Sequence, residues 1–411
     1  MRNTALIPRQ DAHRPSGPVT DDRPSRRVLR RLRGLLSLTD LRVLRLYLLT
    51  RLGLWLIAYC SRWLVPGSEA RTPVSWLSRW EHWDWGHFQH IAEHGYFGAS
   101  PGVDPSENDR VAFFPGFPLA LRAVHAVVGD WTVAGLLISL VSGAVAVVAL
   151  ARIAGLGRAD AALAGPRAAA FLLLSPTAVF LAAGYTESLF LAFALPAWLA
   201  AKNRAWPLAG LLAAAATAVR ISGLFLAAAI LVEFLLAHRG HPWARRLRAL
   251  PWCALPALPA AAYTAYLYVS TGDWLAWKHA QERGWHREFH TPVEAFRNTW
   301  HAAFDNVQTT GFALGFQLEL VAMAVGVVLL VVLLVHRRWP EAVFIALNLW
   351  SLGTSYWYLS VPRSTLLWWP LWIGLAHWSL RRPWVREAYL AVVAPLMVIL
   401  ALLYTSGRWA G

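Results

Sequence analysis

Apolar residues fall in long blocks along this chain, separated by short polar or basic breaks. A block must reach about 20 mostly apolar residues to cross roughly 30 Å of hydrocarbon as a helix. Candidate spans lie near 43–65, 131–152, 167–184, 187–201, 205–219, 221–237, 251–269, 315–336, 340–358, 364–380 and 388–405. The pattern predicts an all-α polytopic membrane protein of about eleven transmembrane helices. A twelfth apolar stretch, 111–128, contains Pro115, Pro118, Arg122 and His125, and is expected to be re-entrant or interfacial. Neither a tandem repeat nor a soluble domain is evident.

The basic residues orient these spans. Residues 1–45 hold eleven Arg against four Asp, and with this end placed in the cytoplasm the alternation puts Arg152, Arg158, Arg167, Lys202, Arg204, Arg239, Arg245, Arg246, Arg248, Arg337, Arg338, Arg381, Arg382 and Arg386 in cytoplasmic turns. The opposite side receives the two longest loops, about 66–130 and 270–314. Residues 1–42 lack the apolar core of a signal peptide and are expected to form a disordered, Arg-rich cytoplasmic tail, alternatively an arm for anionic lipid. The membrane domain is then 43–411, multi-pass in the cell membrane.

Composition agrees: 57% of residues are hydrophobic and 15% charged. The net charge of +15 would suggest nucleic acid on a soluble surface, but its clustering between apolar runs is topogenic, and no nucleic-acid partner is expected. Many of the 24 Trp stand at span ends, where indole favours the interface. Cys60 and Cys253 lie in apolar runs and are read as packing.

Chemistry concentrates at the outer face. The segment RWEHWDWGHFQHIAEHGYFG, 79–98, carries Glu81, His82, Asp84, His87, His90, Glu93, His94 and Tyr96. Asp84 could cap a helix beginning there. Alternatively, held between Trp83 and Trp85 and poorly solvated, it would gain basicity and could take a hydroxyl proton. VAFFPGFPL, 111–119, presents Phe114 and Pro115 in a stretch that cannot be regularly helical, and GYTESLF, 184–190, places Tyr185 and Glu187 at a span end, where Glu187 is either a polar turn or part of a site. Arg220 and Arg363 fall on the outer side against the basic bias; they suit a lipid phosphate, or else pair with Glu187 or snorkel. The second outer loop, with Asp273, Lys278, His279 and several aromatics, could cover the site or stack on an acceptor sugar. His90 and His94 are spaced for a metal on a helix but complete no ligand motif, so neither metal nor cofactor is expected. No Walker loop, GxGxxG, GxSxG or DxD occurs, which removes nucleotide-driven pumps, serine hydrolases and soluble nucleotide-sugar enzymes.

WDWGHFQHIAEHGY followed by AFFPGFPL, SPTAVFLAAGYTESLF and AVRISGLF resembles the PIG-V-like mannosyltransferases, which add the second mannose of the GPI anchor in eukaryotes and have many bacterial members. The resemblance covers residues 83–226 and, with the long Arg-rich tail, suggests a bacterial member. It implies a GT-C glycosyltransferase fold, a polyprenyl-phosphate-mannose donor and inversion at the anomeric carbon. Asp84 matches the presumed catalytic acid of that family, and His90 or His94 and Glu187 match site-lining positions. Trp83, His87, Glu93, Tyr96, Phe114, Pro115 and Tyr185 complete the expected lining, with Arg363 and Arg220 on the donor phosphate. The acceptor would be a glycolipid or cell-envelope glycan on the extracytoplasmic face. Because phosphate is a good leaving group, one carboxylate acting as base suffices. A carrier or flippase for lipid-linked sugar would use the same groove, but predicts polar sites at both faces. A protein O-mannosyltransferase would share donor and face.

Overall fold

The computed structural model describes residues 36–65, 75–98, 107–239 and 250–411. Every regular element among them is helical. The expected tail lies outside the described residues up to 35, and helix α1 (Leu38–Leu64) begins ahead of its expected start near 43. Ser37 and Asp40 explain this. The Ser37 hydroxyl accepts from the Asp40 amide and the Asp40 carboxylate accepts from the Ser37 amide, a capping box that satisfies the first orphan donors of the helix.

The remaining helices are α2 (Asp84–His94), α3 (Gly116–Val128), α4 (Trp131–Ala154), α5 (Ala161–Leu173), α6 (Thr186–Lys202), α7 (Trp206–Val219), α8 (Ser222–Ala237) and α9 (Ala257–Thr271). They continue with α10 (Ala276–Trp285), α11 (Pro292–Phe304), α12 (Thr310–Val335), α13 (Trp339–Gly353), α14 (Trp369–Arg381) and α15 (Trp384–Thr405). Each of the eleven expected spans falls on a helix of this series. Four of the helices, α1, α4, α12 and α15, are long and apolar enough to cross a membrane. The molecule is an all-helical polytopic membrane protein.

Helix α4 is central. Its most apolar stretch is 61% buried, against 28–33% for the other three long helices, whose bare sides are left for lipid. Glycines permit the close approach of its neighbours. A Cβ on Gly135 would meet the Trp85 ring at 2.5 Å, and one on Gly143 would meet the Tyr47 hydroxyl at 2.4 Å. Tyr47 donates to the carbonyl of Leu140 at 2.8 Å, tying α1 to α4. At one end of the bundle Arg152 pairs with Asp40 at 2.9 Å and Arg167 donates to the carbonyl of Ser379 at 2.6 Å. The start of α1 and the turns near Arg152, Arg167 and Ser379 therefore meet at this end, while Arg245, Arg246 and Arg248 lie outside the described residues.

Besides 251–269, whose long helix starts only at Ala257, three expected spans are shorter as helices than as apolar runs, and these three differences build the opposite end of the bundle. The run 167–184 is helical only to Leu173; Ser175–Pro176 breaks it, and a 3-10 turn, Ala178–Leu181, leads to α6. The run 340–358 is helical to Gly353, and 364–380 only from Trp369. Between those two lies an irregular stretch with a one-turn helix, Val361–Ser364. Non-helical backbone at membrane depth is tolerated only where protein satisfies it. Ser139 donates to the Ala183 carbonyl at 2.6 Å, Ser188 to Leu181 at 2.9 Å and Thr177 to Pro362 at 3.0 Å. The stretch 111–128 yields α3, whose 13 residues rise about 20 Å, too little to cross.

Replacing Gly135 by Ala would force α4 away from Trp85 and Gly184. Overpacking of this kind costs about 1–3 kcal/mol. The Gly135→Ala protein should unfold at lower temperature in detergent than wild type, as followed by tryptophan fluorescence.

Candidate active site

The broken helix ends gather a charged cluster. Glu187, in the first turn of α6, is wholly buried, and its Oε1 accepts from Arg363 Nε at 2.6 Å and from Arg220 Nη1 at 2.7 Å. Arg220 stands immediately beyond α7 in extended backbone, and also donates to the Thr186 hydroxyl. Arg363, in the one-turn helix, extends Nη1 to Asp84 Oδ2 at 2.6 Å and lies over the rings of Phe180 (4.8 Å) and Tyr185 (4.7 Å). A guanidinium presents donors in a fixed fork, so one Arg can hold two carboxylates in a defined relation. The alternative reading of Arg220, a salt bridge to Glu187, is what the structure contains.

Asp84 does not cap α2. Trp83 occupies the N-cap with φ 56°, and Asp84 is the first helical residue, its carboxylate turned to Arg363. Trp85, Phe88, Ile91 and Ala92 bury the inner face of α2. Tyr185 donates its hydroxyl to the His82 carbonyl at 2.5 Å, and Arg122 of α3 donates to the Ala92 carbonyl at 2.6 Å. Both ends of the short helix are thus fixed by neighbours.

Asp84, Arg220 and Arg363 line a cavity of about 180 Å³, together with Phe114, Trp277, Gln281, Trp285, Arg287, Asn348, Ser360 and Trp409. The loop region 270–314 supplies one wall. Trp277 and Gln281 of α10 donate to the Ala112 carbonyl at 3.0 and 3.1 Å, and Arg283 pairs with Asp109 at 3.2 Å, clamping the two long loop regions together. Arg287 donates to the Leu359 carbonyl at 3.4 Å and has no carboxylate in contact among the described residues, though Glu319 is near enough to act on it through its charge. Burial draws its guanidinium down to about 10, and the charges of Arg220 and Arg363 act in the same direction. A bound anion would relieve both effects.

The other predicted residues divide into those behind the cavity and those away from it. Glu187 and Tyr185 lie behind its wall, orienting arginines. Trp83 is exposed and edge-on to Trp409 at 5.1 Å. His87 stacks on Phe113 at 5.1 Å. His90 bonds the Gly98 carbonyl at 3.1 Å and meets His94 ring to ring at 5.0 Å, while Glu93 and His94 are exposed 3.8 Å apart. Tyr96 and Pro115 line a separate apolar groove of about 440 Å³ against Tyr263 and Tyr266 of α9. Sequence reasoning missed Arg287, Trp285 and Trp409. Arg287 carries the same signal as Arg220 and Arg363, a cation on the outer side, but Arg283 and Arg297 carry it too.

In architecture and charge placement the chain is therefore an all-helical membrane protein with an ionised, aromatic-walled cavity at one end of its bundle. Residues 65–239, the stretch that carries most of the motifs, match the family model described as Mannosyltransferase (PIG-V). It is 34% identical over 231 residues to GPI alpha-1,6-mannosyltransferase 2 of Mus musculus, covering 52% of this chain and 43% of the relative. The proteins of the same name from Cricetulus griseus and Homo sapiens are 38% identical over 157 residues and 40% over 118, covering 35% and 26% of this chain and 28% and 22% of the relatives. The chain spans less than half the length of the curated relatives it matches.

Two predictions follow from this geometry. Glu187→Ala leaves the buried Arg363 and the half-buried Arg220 guanidinium groups without their shared partner. Removing one member of a buried ion pair costs about 3–5 kcal/mol, so the variant should show a large fall in thermal midpoint in detergent. Burial lowers His87, and His90, below the ordinary histidine value of 6.5. The unfolded chain then binds protons that the folded one refuses, so stability is full above that value and falls as pH drops toward the folded pKa. Midpoints measured between pH 8 and 5 should show this decline, weakened in His87→Gln.

Proposed function

We propose that this protein is an inverting mannosyltransferase of GT-C type, moving mannose from a polyprenyl-phosphate-mannose donor to an acceptor hydroxyl on the extracytoplasmic face, with Asp84 as general base. The observation that carries this reading is the Asp84–Arg363–Glu187–Arg220 cluster at a cavity with aromatic walls. The family match supports the sugar and the reaction class.

Arg363 holds Asp84 by Oδ2 alone, and Oδ1 has no hydrogen bond among the described residues. That oxygen receives the acceptor proton as the acceptor oxygen bonds to the anomeric carbon and the bond to phosphate breaks. The donor phosphate falls to Arg287, with Arg220 beside it. Arg363 already serves two carboxylates, which argues against the sequence expectation that it is the main phosphate ligand. The polyprenyl chain follows the apolar groove of about 290 Å³ that shares Trp285 and Trp409 with the cavity. The acceptor is a glycolipid or envelope glycan, and the protein sits in the cell membrane with its N-terminus cytoplasmic.

The test is transfer of radiolabelled mannose from synthetic polyprenyl-phosphate-mannose to membrane extracts. General-base assistance is worth about 10² to 10⁴ in rate, so Asp84→Asn should lose that much turnover while still folding, with a lowered thermal midpoint because Arg363 loses one of its two carboxylates. Arg287→Ala should raise the donor KM more than it lowers kcat. Near-normal transfer by Asp84→Asn would remove it as the base; tight donor binding without transfer by wild type would favour a carrier.

A further inference from the structure

Glu319 is the one charged residue of α12, in its first half, and it is 2% exposed. An ionisable group inside a helix apolar enough to span a membrane is expensive, which makes it a candidate functional residue. Its partners are two consecutive backbone amides. Oε1 accepts from the Ser360 N–H at 2.7 Å and Oε2 from the Val361 N–H at 2.7 Å.

Those amides open the one-turn helix that carries Arg363. Ser360, its N-cap, has φ 63°, the left-handed region unfavourable to a residue with a side chain. No side-chain cap comes from Ser360 itself. Helix amides at a buried terminus must find an acceptor, and here a different helix provides it. Two residues on from Val361, Arg363 reaches both Asp84 and Glu187. Thr177 holds the turn from its other side by donating to the Pro362 carbonyl at 3.0 Å.

We propose that Glu319 is a positioning residue: by gripping the Ser360 and Val361 amides it sets the Arg363 guanidinium, and through it the Asp84 carboxylate, in the geometry required for transfer. Its catalytic consequence rests on the reading of the site as a mannosyltransferase; its mechanical one does not. Glutamine at 319 keeps one carbonyl acceptor and turns an NH₂ toward the second amide, which loosens the turn without emptying the space.

The experiment uses the full chain in detergent or nanodiscs, as wild type, Glu319→Gln, Glu319→Asp, Arg363→Lys and the Glu319→Gln/Arg363→Lys double variant. A misplacement of about 1 Å at a reacting group can cost roughly 10² in rate. Glu319→Gln should therefore lose about 10-fold to 10²-fold in kcat with donor KM nearly unchanged, and Glu319→Asp should recover part of the loss. In the Arg363→Lys background the same substitution should add little, because the group it positions is already altered. An equal further loss there, or full activity of Glu319→Gln, would overturn the proposal. Hydrogen exchange of peptides covering 354–366 gives an activity-independent readout. Faster exchange confined to that segment is expected in Glu319→Gln, and unchanged protection would sink the idea. If wild type transfers no mannose, the functional reading fails and the exchange result alone decides the role of Glu319. If Glu319→Gln does not fold, Glu319→Asp carries both comparisons.

Discussion

The carboxylate of Glu187, shared between two guanidinium groups, is the interaction on which the site depends. Glu187 and Arg363 are buried, so each is tolerable only because charged partners are present. Arg363 could not stand over Phe180 and Tyr185 as a desolvated cation without Glu187 and Asp84. Asp84 in turn receives its direction from Arg363 rather than from its own helix. The cluster joins α2, the start of α6, the end of α7 and the one-turn helix at 361–364, four segments distant in sequence. It thereby fixes the cavity and the relation of the first outer loop to the bundle.

The cluster exists because several apolar runs stop being helical before they end. A continuous helix through 167–184 or 340–358 would carry its backbone polar groups in its own ladder and offer nothing to a ligand. Breaking the runs at Ser175–Pro176 and after Gly353 frees backbone groups, which Ser139, Thr177, Ser188 and Glu319 then satisfy. In α12 and α15, where the helices run unbroken, large apolar side chains such as Val321, Val328, Val392 and Ile399 are exposed for lipid. Two demands on one membrane chain, to satisfy its backbone and to hold charge, are therefore met in different parts of it.

The cavity wall comes from the second outer loop and from Trp409 near the other end of the chain. Trp285 and Trp409 divide the polar cavity from the apolar groove along α12, so a ligand with a charged head and an apolar tail meets both environments across one aromatic boundary. The PIG-V family match covers residues 65–239 and so includes Asp84, Glu187 and Arg220 but neither Arg287 nor Arg363. Arg363, the cation paired with Asp84, thus arrives from outside the matched segment.

Hydrophobic blocks sufficed to give the all-helical class and a helix at each expected position, because burial in lipid constrains composition over about 20 residues at a time. The same information picked out Asp84, Glu187, Arg220 and Arg363, each an ionisable residue where the membrane disfavours one. It could not say that Glu187 faces two arginines, that His90, Glu93 and His94 look away from the cavity, or that Arg287 enters it while Arg283 pairs with Asp109. Helical spacing orders neighbours on one element, whereas these facts depend on which elements meet. Only the tertiary structure decided them, since a buried charge is placed by partners hundreds of residues away, 279 in the case of Arg363 and Asp84.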